Sequence, residues 1–445
     1  MSAFARRGAC PALSAPMQTG DGLLARLNTV AGGLSPKALI GLCESALRHG
    51  NGVIEVTARG SVQIRGLTPS SARALAREAD TLEIDVRTGV PVETGPLAGI
   101  DAEEIADPRP LANEIRAAIE KAGLGARLGP KVSVVVDGGG HLPMDAVLAD
   151  VRLVAVRSGE AVAWFLSIGG TAASARPLGI VPKAQACAAT VAILEAVAVL
   201  GREARARELI DPHNIVGGIA LSGLPTPDGS QLRPTGGPVS VFPLADGTCA
   251  PGVALPFGSM HAENVIALAQ GAISLDATEI RPAPSRALLF PGMSAAACAT
   301  LRQTAAALGF VTDANDPRLS IVACPGAPAC ASGRIATRAL AERIAADHAG
   351  LLDGSFTLHI SGCAKGCAHP SPAALTLVGH DGGTGIALDA TARSPAASCK
   401  VASDAQAGIA SIASLARQNR RSGETVAACL ARLGAAAITT AFMQG

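Results

Sequence analysis

The fold is decided by the stretch Leu358-His-Ile-Ser-Gly-Cys-Ala-Lys365, which repeats an earlier stretch, Val134-Val-Val-Asp-Gly-Gly-Gly-His141. In both, a strand pattern runs into a glycine loop, and only the later loop contains a cysteine. The two stretches are 224 positions apart, and the strand patterns that follow them, at 151–154 and 375–378, keep that spacing. Because the register holds without a gap, the sequence predicts an internal duplication.

A second matched pair lies upstream of each stretch. Positions 51–65 alternate as a strand, cross a short turn and continue as another strand, and positions 277–290 have the same outline. Arg286 in the later segment follows Arg59 by 227 positions. A helical pattern precedes each segment, at 35–49 and at 262–272.

This order predicts an α+β fold that is internally duplicated, with two ferredoxin-like half-domains, two larger α+β domains and pseudo-two-fold symmetry. Helical patterns at 185–205 and 405–417 alternate with the strands. Proline and glycine are frequent between the halves and predict a long connection. The predicted segments are a first ferredoxin-like unit at 1–120, an α+β domain without a cluster at 121–211, a linker at 212–250, a second ferredoxin-like unit at 251–315 and a cluster-bearing α+β domain at 316–445.

Four cysteines form two close pairs, Cys324 with Cys330 and Cys363 with Cys367. Four soft thiolates brought to one point suit a cubane iron–sulfur cluster. Structural zinc is less compatible, because five residues between the first two cysteines exceed its usual spacing. A disulfide set would need an oxidising compartment, and four unrelated core cysteines would not explain the glycines and prolines around them. The other seven cysteines stand singly and read as core or loop residues: Cys10, Cys43, Cys187, Cys249, Cys298, Cys399 and Cys429.

Composition narrows the class of protein. The 445 residues carry a formal net charge of +1, which removes the electrostatic argument for nucleic-acid binding. The first 17 residues have no apolar signal region, and the apolar stretch at 188–200 is short and interrupted by Glu195, so no membrane span is predicted. The expectation is a soluble cytoplasmic protein with reduced thiols.

Arginines on the strands are candidates for binding a large anionic ligand. Arg59, Arg65 and Arg286 can each grip a carboxylate bidentately, and a tetrapyrrole carries a rim of acetate and propionate groups. A solvated strand face is the alternative interpretation of any single arginine. Arg26 and Lys131 are weaker candidates for the same role. His141 and His369 lie in corresponding loops and could ligate a metal or relay a proton, although most loop histidines do neither.

Taken together, these motifs resemble the sirohaem-dependent sulfite and nitrite reductases. Within that superfamily the residues of these motifs are similar to those of a branch that acts in aerobic cobalamin biosynthesis. The match runs from about Arg7 to the C-terminal helix. It is carried by Arg7-Gly-Ala-Cys-Pro-Ala-Leu13, Pro16-Met-Gln-Thr-Gly-Asp-Gly-Leu-Leu-Ala-Arg26, His49-Gly-Asn-Gly52, Thr57-Ala-Arg59, Gln63-Ile-Arg-Gly66, Leu255-Pro-Phe-Gly258 and Ser361-Gly-Cys-Ala-Lys-Gly-Cys-Ala-His-Pro370.

Two departures separate the chain from the reductases of that superfamily. The reductases carry a Lys-x-Lys pair that grips the anion, and this chain has Lys131-Val-Ser133. The second reductase cysteine loop reads Cys-Pro-Asn-x-Cys, and here it is Cys363-Ala-Lys-Gly-Cys367. Both departures argue against reduction of a small anion.

The resemblance implies a reaction and its components. Precorrin-3A would be hydroxylated with O2 and closed to a lactone through a ring acetate, which gives precorrin-3B. It implies that Cys324, Cys330, Cys363 and Cys367 hold a [4Fe–4S] cluster that delivers electrons, with a mononuclear non-haem iron for O2. Lys365 and His369 are the candidate catalytic residues. The electron donor is not identified, and a monomer is expected.

Two other functions remain open at this point. One is a sulfite or nitrite reductase with bound sirohaem. The other is a non-catalytic electron carrier that uses only the cluster.

Overall fold

A computed structural model describes residues 11–29, 33–84, 86–217, 236–394, 401–402 and 404–445. The chain divides into two compact units. The first consists of Met1–Gln18, Leu24–Ala254 and Met260–Leu308, and the second of Thr19–Leu23, Leu255–Ser259 and Gly309–Gly445. Part of the predicted linker, positions 218–235, lies outside the described residues, as do Cys10 and Cys399.

The first ferredoxin-like half-domain has apolar side chains on one face of its sheet, against two helices. Ser35 caps the first helix by accepting a hydrogen bond from the Ala38 N–H at 3.1 Å, and Thr68 forms a capping box with Ser71 on the second. Its elements are β1 (Met17–Thr19), β2 (Gly22–Leu27), α1 (Pro36–His49), β3 (Val53–Val56), β4 (Val62–Leu67) and α2 (Pro69–Thr81).

The first α+β domain has a five-stranded sheet around which two long helices pack. Val92, Ile115, Trp164 and Ile193 are among its fully buried core residues. Strand Val92–Thr94 and helix Arg109–Lys121 precede position 121 but belong to this core. Its elements are β5 (Val92–Thr94), α3 (Arg109–Lys121), α4 (Leu124–Arg127), β6 (Val134–Asp137), β7 (Ala149–Ser158), β8 (Ala161–Gly170), β9 (Arg176–Pro182), α5 (Ala186–Leu200) and α6 (Pro212–Ile215).

The second ferredoxin-like half-domain repeats the order of the first. Its sheet runs β10-β11-β14-β13, and the first sheet runs β1-β2-β4-β3 with β12 added beside β3. Its elements are β10 (Val241–Pro243), β11 (Cys249–Ala254), β12 (Ser259–His261), α7 (Ala262–Ile273), β13 (Arg281–Ala283), β14 (Ala287–Leu289) and α8 (Ala295–Ala307).

The two ferredoxin-like half-domains meet inside the first unit. Leu34 and Ile280 exchange both backbone hydrogen bonds, each at 2.8 Å. The hairpin turns also pair, because Ser285 N–H donates to the Ala58 carbonyl at 3.1 Å. Helix α1 packs against α7. The Arg59 and Arg286 turns, which the sequence matches, therefore lie side by side.

The second α+β domain has the same architecture as the first. Its core includes Ile344, Leu358, Ile412 and Phe442. Its elements are β15 (Ile321–Ala323), α9 (Thr337–Asp347), β16 (Leu358–Ser361), β17 (Ala373–His380), β18 (Gly383–Ala390), β19 (Val401–Ala402), α10 (Ala405–Asn419) and α11 (Val426–Gln444). Short 3₁₀ turns complete the chain at Lys183–Gln185, Ala206–Glu208, Pro256–Gly258, Pro317–Ser320 and Ala349–Leu351.

Strand register confirms the duplication. The two sheets run β5-β6-β7-β8-β9 and β15-β16-β17-β18-β19, each with two parallel followed by two antiparallel pairings. Val134 pairs with Val151 in the first, and Leu358 pairs with Leu375 in the second. These partners keep the 224-residue spacing, so the predicted duplicated α+β fold is confirmed.

Two helices are long and apolar, and one of them is shorter than predicted. Helix α5 ends at Leu200, before Gly201, rather than at 205. Together with the preceding 3₁₀ turn, α5 forms an apolar stretch of 18 residues, Lys183–Leu200. This stretch and helix Val426–Gln444 are each long and apolar enough to cross a membrane. Both contribute residues to hydrophobic cores, including Ile193 and Phe442. Length and composition alone are weak evidence for a membrane span.

Candidate functional site

The four predicted cluster cysteines lie on two loops that begin at the same edge of one sheet. Strands β15 and β16 are parallel neighbours and end at Ala323 and Ser361. Cys324 follows the first directly, and Cys363 follows the second after one glycine. The Gly362 N–H donates to Cys324 Sγ at 3.1 Å. Backbone N–H groups that donate to cysteine sulfurs are common in iron–sulfur loops, where they tune the reduction potential of the cluster.

Tight backbone packing holds the first cysteine loop in shape. Cys330 N–H donates to the Gly326 carbonyl and Gly333 N–H to the Cys330 carbonyl, both at 2.7 Å. The Arg334 N–H crosses to the Gly362 carbonyl, also at 2.7 Å. A Cβ on Gly362 would lie 3.1 Å from the Gly326 Cα and 3.2 Å from the Gly333 Cα. Glycine suits this position because a side chain would crowd the backbones of the two loops.

The other three cysteines lie close enough to Cys367 to affect the pKa of its thiol. Desolvation raises the pKa of the Cys367 thiol, and the charges of Cys324, Cys363 and Cys330 raise it further, whereas Lys365 lowers it. Cys367 is exposed, and the other three cysteines are half-buried. Mutual repulsion among thiolates is relieved when a cationic cluster binds them.

The donor set fits a multi-iron cluster better than a single metal ion. Within the described ranges, no three His, Cys, Asp or Glu side chains are gathered tightly enough to hold one ion. A cubane needs a wider arrangement, because each thiolate binds a different iron atom. Four neighbouring cysteines with a backbone donor on one sulfur therefore fit a [4Fe–4S] cluster. No set of residues in these ranges is assigned to a mononuclear iron.

The turn at Gly20 and Asp21 contacts the loop that contains Cys330. Ala331 N–H donates to the Gly20 carbonyl at 3.1 Å. A Cβ on Gly20 would lie 2.6 Å from Cys330 Sγ and 2.7 Å from the Ala331 nitrogen. The Gly-Asp-Gly segment near the start of the chain thus restricts where the Cys330 sulfur can lie.

We expect Gly20→Ala to lower the iron and acid-labile sulfide content several-fold, because the added methyl group must displace Cys330. Gly382→Ala is the matched control, since a Cβ there meets no atom within 4 Å. The measurement is colorimetric iron and sulfide per chain after anaerobic purification. Equal cluster content in both variants would contradict the packing argument.

The two candidate catalytic side chains lie around the cysteine loops. The Lys365 ammonium donates to Ser332 Oγ at 2.5 Å and so ties the second cysteine loop to the first. The His369 ring lies with its centroid 5.5 Å from that of His359, which is buried on β16. Arg393 Nε donates to the Lys365 carbonyl at 2.9 Å and anchors that loop from the other side.

Three of the five candidate substrate-binding residues gather around Glu55. Arg26 Nε and Nη2 donate to Gln63 Oε1 at 3.1 and 2.7 Å. Arg65 Nη1 lies 3.6 Å from Glu55 Oε2. Burial lowers the pKa of the Arg286 guanidinium, and the Glu55 charge opposes that shift. We call Arg26, Glu55, Gln63, Arg65 and Arg286 the arginine face.

Arg59 lies apart from Arg65 and lines a small cavity in the first unit. Its Nη2 donates to the Leu148 carbonyl at 3.1 Å, and its side chain is exposed. The cavity has a volume of about 50 Å³ and is also lined by Arg87 and Arg281. Neither of these arginines was predicted as a site residue, because each stands singly in the sequence. Lys131 is exposed in the turn before β6 and does not line this cavity.

The first copy fills the corresponding loop positions with acidic side chains and a histidine. Asp101 lies seven residues after the end of β5, as Cys330 does after β15, and His141 lies four after β6, as Lys365 does after β16. The His141 Nδ1 is 2.8 Å from Asp101 Oδ1, and its backbone N–H donates to the other carboxylate oxygen. Offsets from the strand ends thus equate His141 with Lys365 rather than with His369.

Glu104 makes this acidic cluster sensitive to pH. The pKa of Glu104 is raised to about 7, mainly by burial and also by the charges of Asp107, Asp101 and Asp137. The Gly99 N–H, which donates to the Glu104 carboxylate at 2.8 Å, opposes this shift. The unfolded value is near 4.5. The folded state favours the protonated form of Glu104. The stability that Glu104 contributes is therefore fully present below pH 4.5 and is lost as the pH rises through 7.

We expect Glu104→Gln to stabilise the first unit at pH 8 by about 2 kcal/mol and to have little effect at pH 4.5, because the amide cannot ionise. Trp164, the only tryptophan and buried in that domain, reports unfolding by fluorescence. Glu120→Gln, an exposed position on α3, serves as the control. A stability difference that does not vary with pH would contradict the assignment.

Comparisons with known proteins give the fold and the family of this chain. The family described as "Nitrite/Sulfite reductase ferredoxin-like half domain" matches residues 15–82. A solved structure of Mycobacterium tuberculosis NirA protein superposes with a TM-score of 0.74 at 21% identity, covering 94% of this chain and 84% of that one, which supports the fold. A precorrin-3B synthase from Sinorhizobium sp is 40% identical over 441 residues, 99% of this chain and 95% of that protein. Near-complete coverage at this identity shows that the chain is an enzyme of the precorrin-3B synthase family.

Proposed function

We propose that this enzyme converts precorrin-3A to precorrin-3B with O2, as the name of its relative suggests. One oxygen atom enters the macrocycle and a ring acetate closes a lactone, while the other oxygen leaves as water with two electrons from a donor. The observation that carries the proposal is the 40% identity to a precorrin-3B synthase over 99% of the chain.

The chain supplies residues suited to each part of this reaction. Arg26, Arg65 and Arg286 of the arginine face are suited to bind ring carboxylates bidentately. We assign Cys324, Cys330, Cys363 and Cys367 as ligands of a [4Fe–4S] cluster, which supplies single-electron transfer when bound. Lys365 and His369, which border those cysteines, are proposed to hold and transfer protons.

Arg59, Arg87 and Lys131 are proposed as further contacts for the carboxylates. Arg87 pairs with Glu93, yet its Nε is buried without a hydrogen-bond partner among the residues that the structure describes. A buried donor of this kind is stabilised when an acceptor reaches it. The cavity beside Arg59 and Arg87 accommodates a single small group and not a macrocycle.

The direct test is incubation of anaerobically purified enzyme with precorrin-3A, a chemical reductant and ¹⁸O2. The expected product is heavier than the substrate by one oxygen atom that carries the label. Unchanged substrate in the presence of a loaded cluster would overturn the proposal. Tightly bound sirohaem in the purified protein, with turnover of sulfite or nitrite, would instead establish the reductase alternative. We further propose a cytoplasmic monomer that receives electrons from a separate donor.

A further inference from the structure

Glu55 is a buried carboxylate at the centre of a group of arginines that the proposed function needs. It stands on β3 directly opposite Gln63 on β4 and is 6% exposed. Gln63 Nε2 donates to Glu55 Oε2 at 3.2 Å, and the same oxygen faces Arg65. The sequence gives no sign of this role, because a single glutamate on a strand looks like a solvated side chain.

Strand alternation explains why these polar groups share a surface. Ile54 and Val56 on β3, with Val62 and Ile64 on β4, point to the face that α1 and α2 cover. The intervening residues must point to the opposite face. That face therefore carries Glu55, Gln63 and Arg65 in register, although all three are buried.

The contacts link the arginines to one another through Glu55. Gln63 holds Arg26 in place, because its Oε1 accepts hydrogen bonds from Arg26 Nε and Nη2. The Gln63 amide nitrogen in turn donates to Glu55 Oε2. Arg65 forms an ion pair with Glu55 directly. The Glu55 charge also acts on Arg286, where it opposes the lowering of the pKa by burial. Three guanidinium groups and one carboxylate leave the arginine face with a formal net charge of +2.

We propose that Glu55 is a positioning and specificity residue, which orients Arg26 and Arg65 for ring carboxylates and prevents the face from holding polyanions too tightly. A buried pair of this kind gives little net stability, but it fixes geometry. This inference rests on the proposed function in one respect, namely that the ligand is a carboxylated tetrapyrrole.

Glu55→Gln separates orientation from charge. The amide keeps the shape and the Gln63 contact but removes the carboxylate charge that faces the Arg65 guanidinium. We expect this variant to bind uroporphyrin III, an octacarboxylate probe, about tenfold more tightly, as removal of one nearby charge allows. Its kcat for precorrin-3A should fall about tenfold, because the arginines are no longer held in the productive arrangement. Glu55→Asp keeps the negative charge, so its probe affinity and its kcat should lie close to those of the unmodified enzyme.

Binding is measured by quenching of probe fluorescence, and turnover by mass spectrometry of the product. Glu44→Gln, an exposed glutamate on α1, is the control and should change neither quantity. Trp164 fluorescence verifies folding of each variant. Weaker probe binding together with lower turnover would mean ordinary structural damage and overturn the proposal, as would no change. Failure of the unmodified enzyme to bind the probe would overturn the tetrapyrrole ligand itself.

Discussion

Cys363→Ser should remove at least about nine-tenths of the iron and acid-labile sulfide from the protein. Loss of one thiolate leaves a cubane with an incomplete set of soft ligands, and ligand loss in such sites typically costs far more than tenfold in metal affinity. The three remaining thiols are then held together without a cation, so the second unit should also lose stability. The measurement is iron and sulfide per chain, together with the electron paramagnetic resonance spectrum of the reduced protein.

Cys249→Ser is the matched control for this substitution. Cys249 is half-buried like Cys363, but it lies in the other unit at the start of β11. It should retain the full complement of iron and sulfide. Trp164 fluorescence shows whether the first unit of each variant is folded. A Cys363→Ser protein with unchanged iron, sulfide and spectrum would refute the ligand assignment.

Arg59→Ala should lower kcat/KM for precorrin-3A by about 10- to 100-fold. An arginine–carboxylate contact contributes about 1.5–3 kcal/mol, and 1.4 kcal/mol corresponds to a tenfold change. Most of the loss should appear in KM, because the carboxylate is bound equally in the ground and transition states. Initial rates at several substrate concentrations give both constants.

Arg127→Ala removes an arginine of similar exposure that pairs with Glu195 on the surface. Surface pairs contribute about 0–1 kcal/mol to stability, so this variant should keep normal kinetics. If Arg59→Ala kept the kcat/KM of the unmodified enzyme, the binding role proposed for Arg59 would be wrong.

The repeat could be predicted from sequence because its strands are matched without a gap. Strands β6 and β16, with the glycine loops behind them, keep one spacing through the core, where a slip by one residue would turn apolar side chains outward. The caps at Ser35 and Thr68 likewise mark their helices locally. These features depend on neighbouring residues, which a single sequence displays.

Other features depend on contacts that the sequence does not display. Strand β5 has three residues, too few for a clear pattern, and it is 229 positions before β15 rather than 224. An alignment of the two halves without gaps therefore does not place Asp101 opposite Cys330. Glu55 was missed for another reason, since only its burial distinguishes it from a surface charge. The ligand roles of the four cysteines and of the basic residues stay predictions.

The division into units gives the chain an order of maturation. Every residue of the first unit lies before position 309, and the first proposed cluster ligand is Cys324. During synthesis the core around Trp164 and both ferredoxin-like half-domains can therefore form before any iron is required. Under the proposed cluster assignment, a chain made without iron would have a folded N-terminal two-thirds, and only its last segment would lack a cofactor.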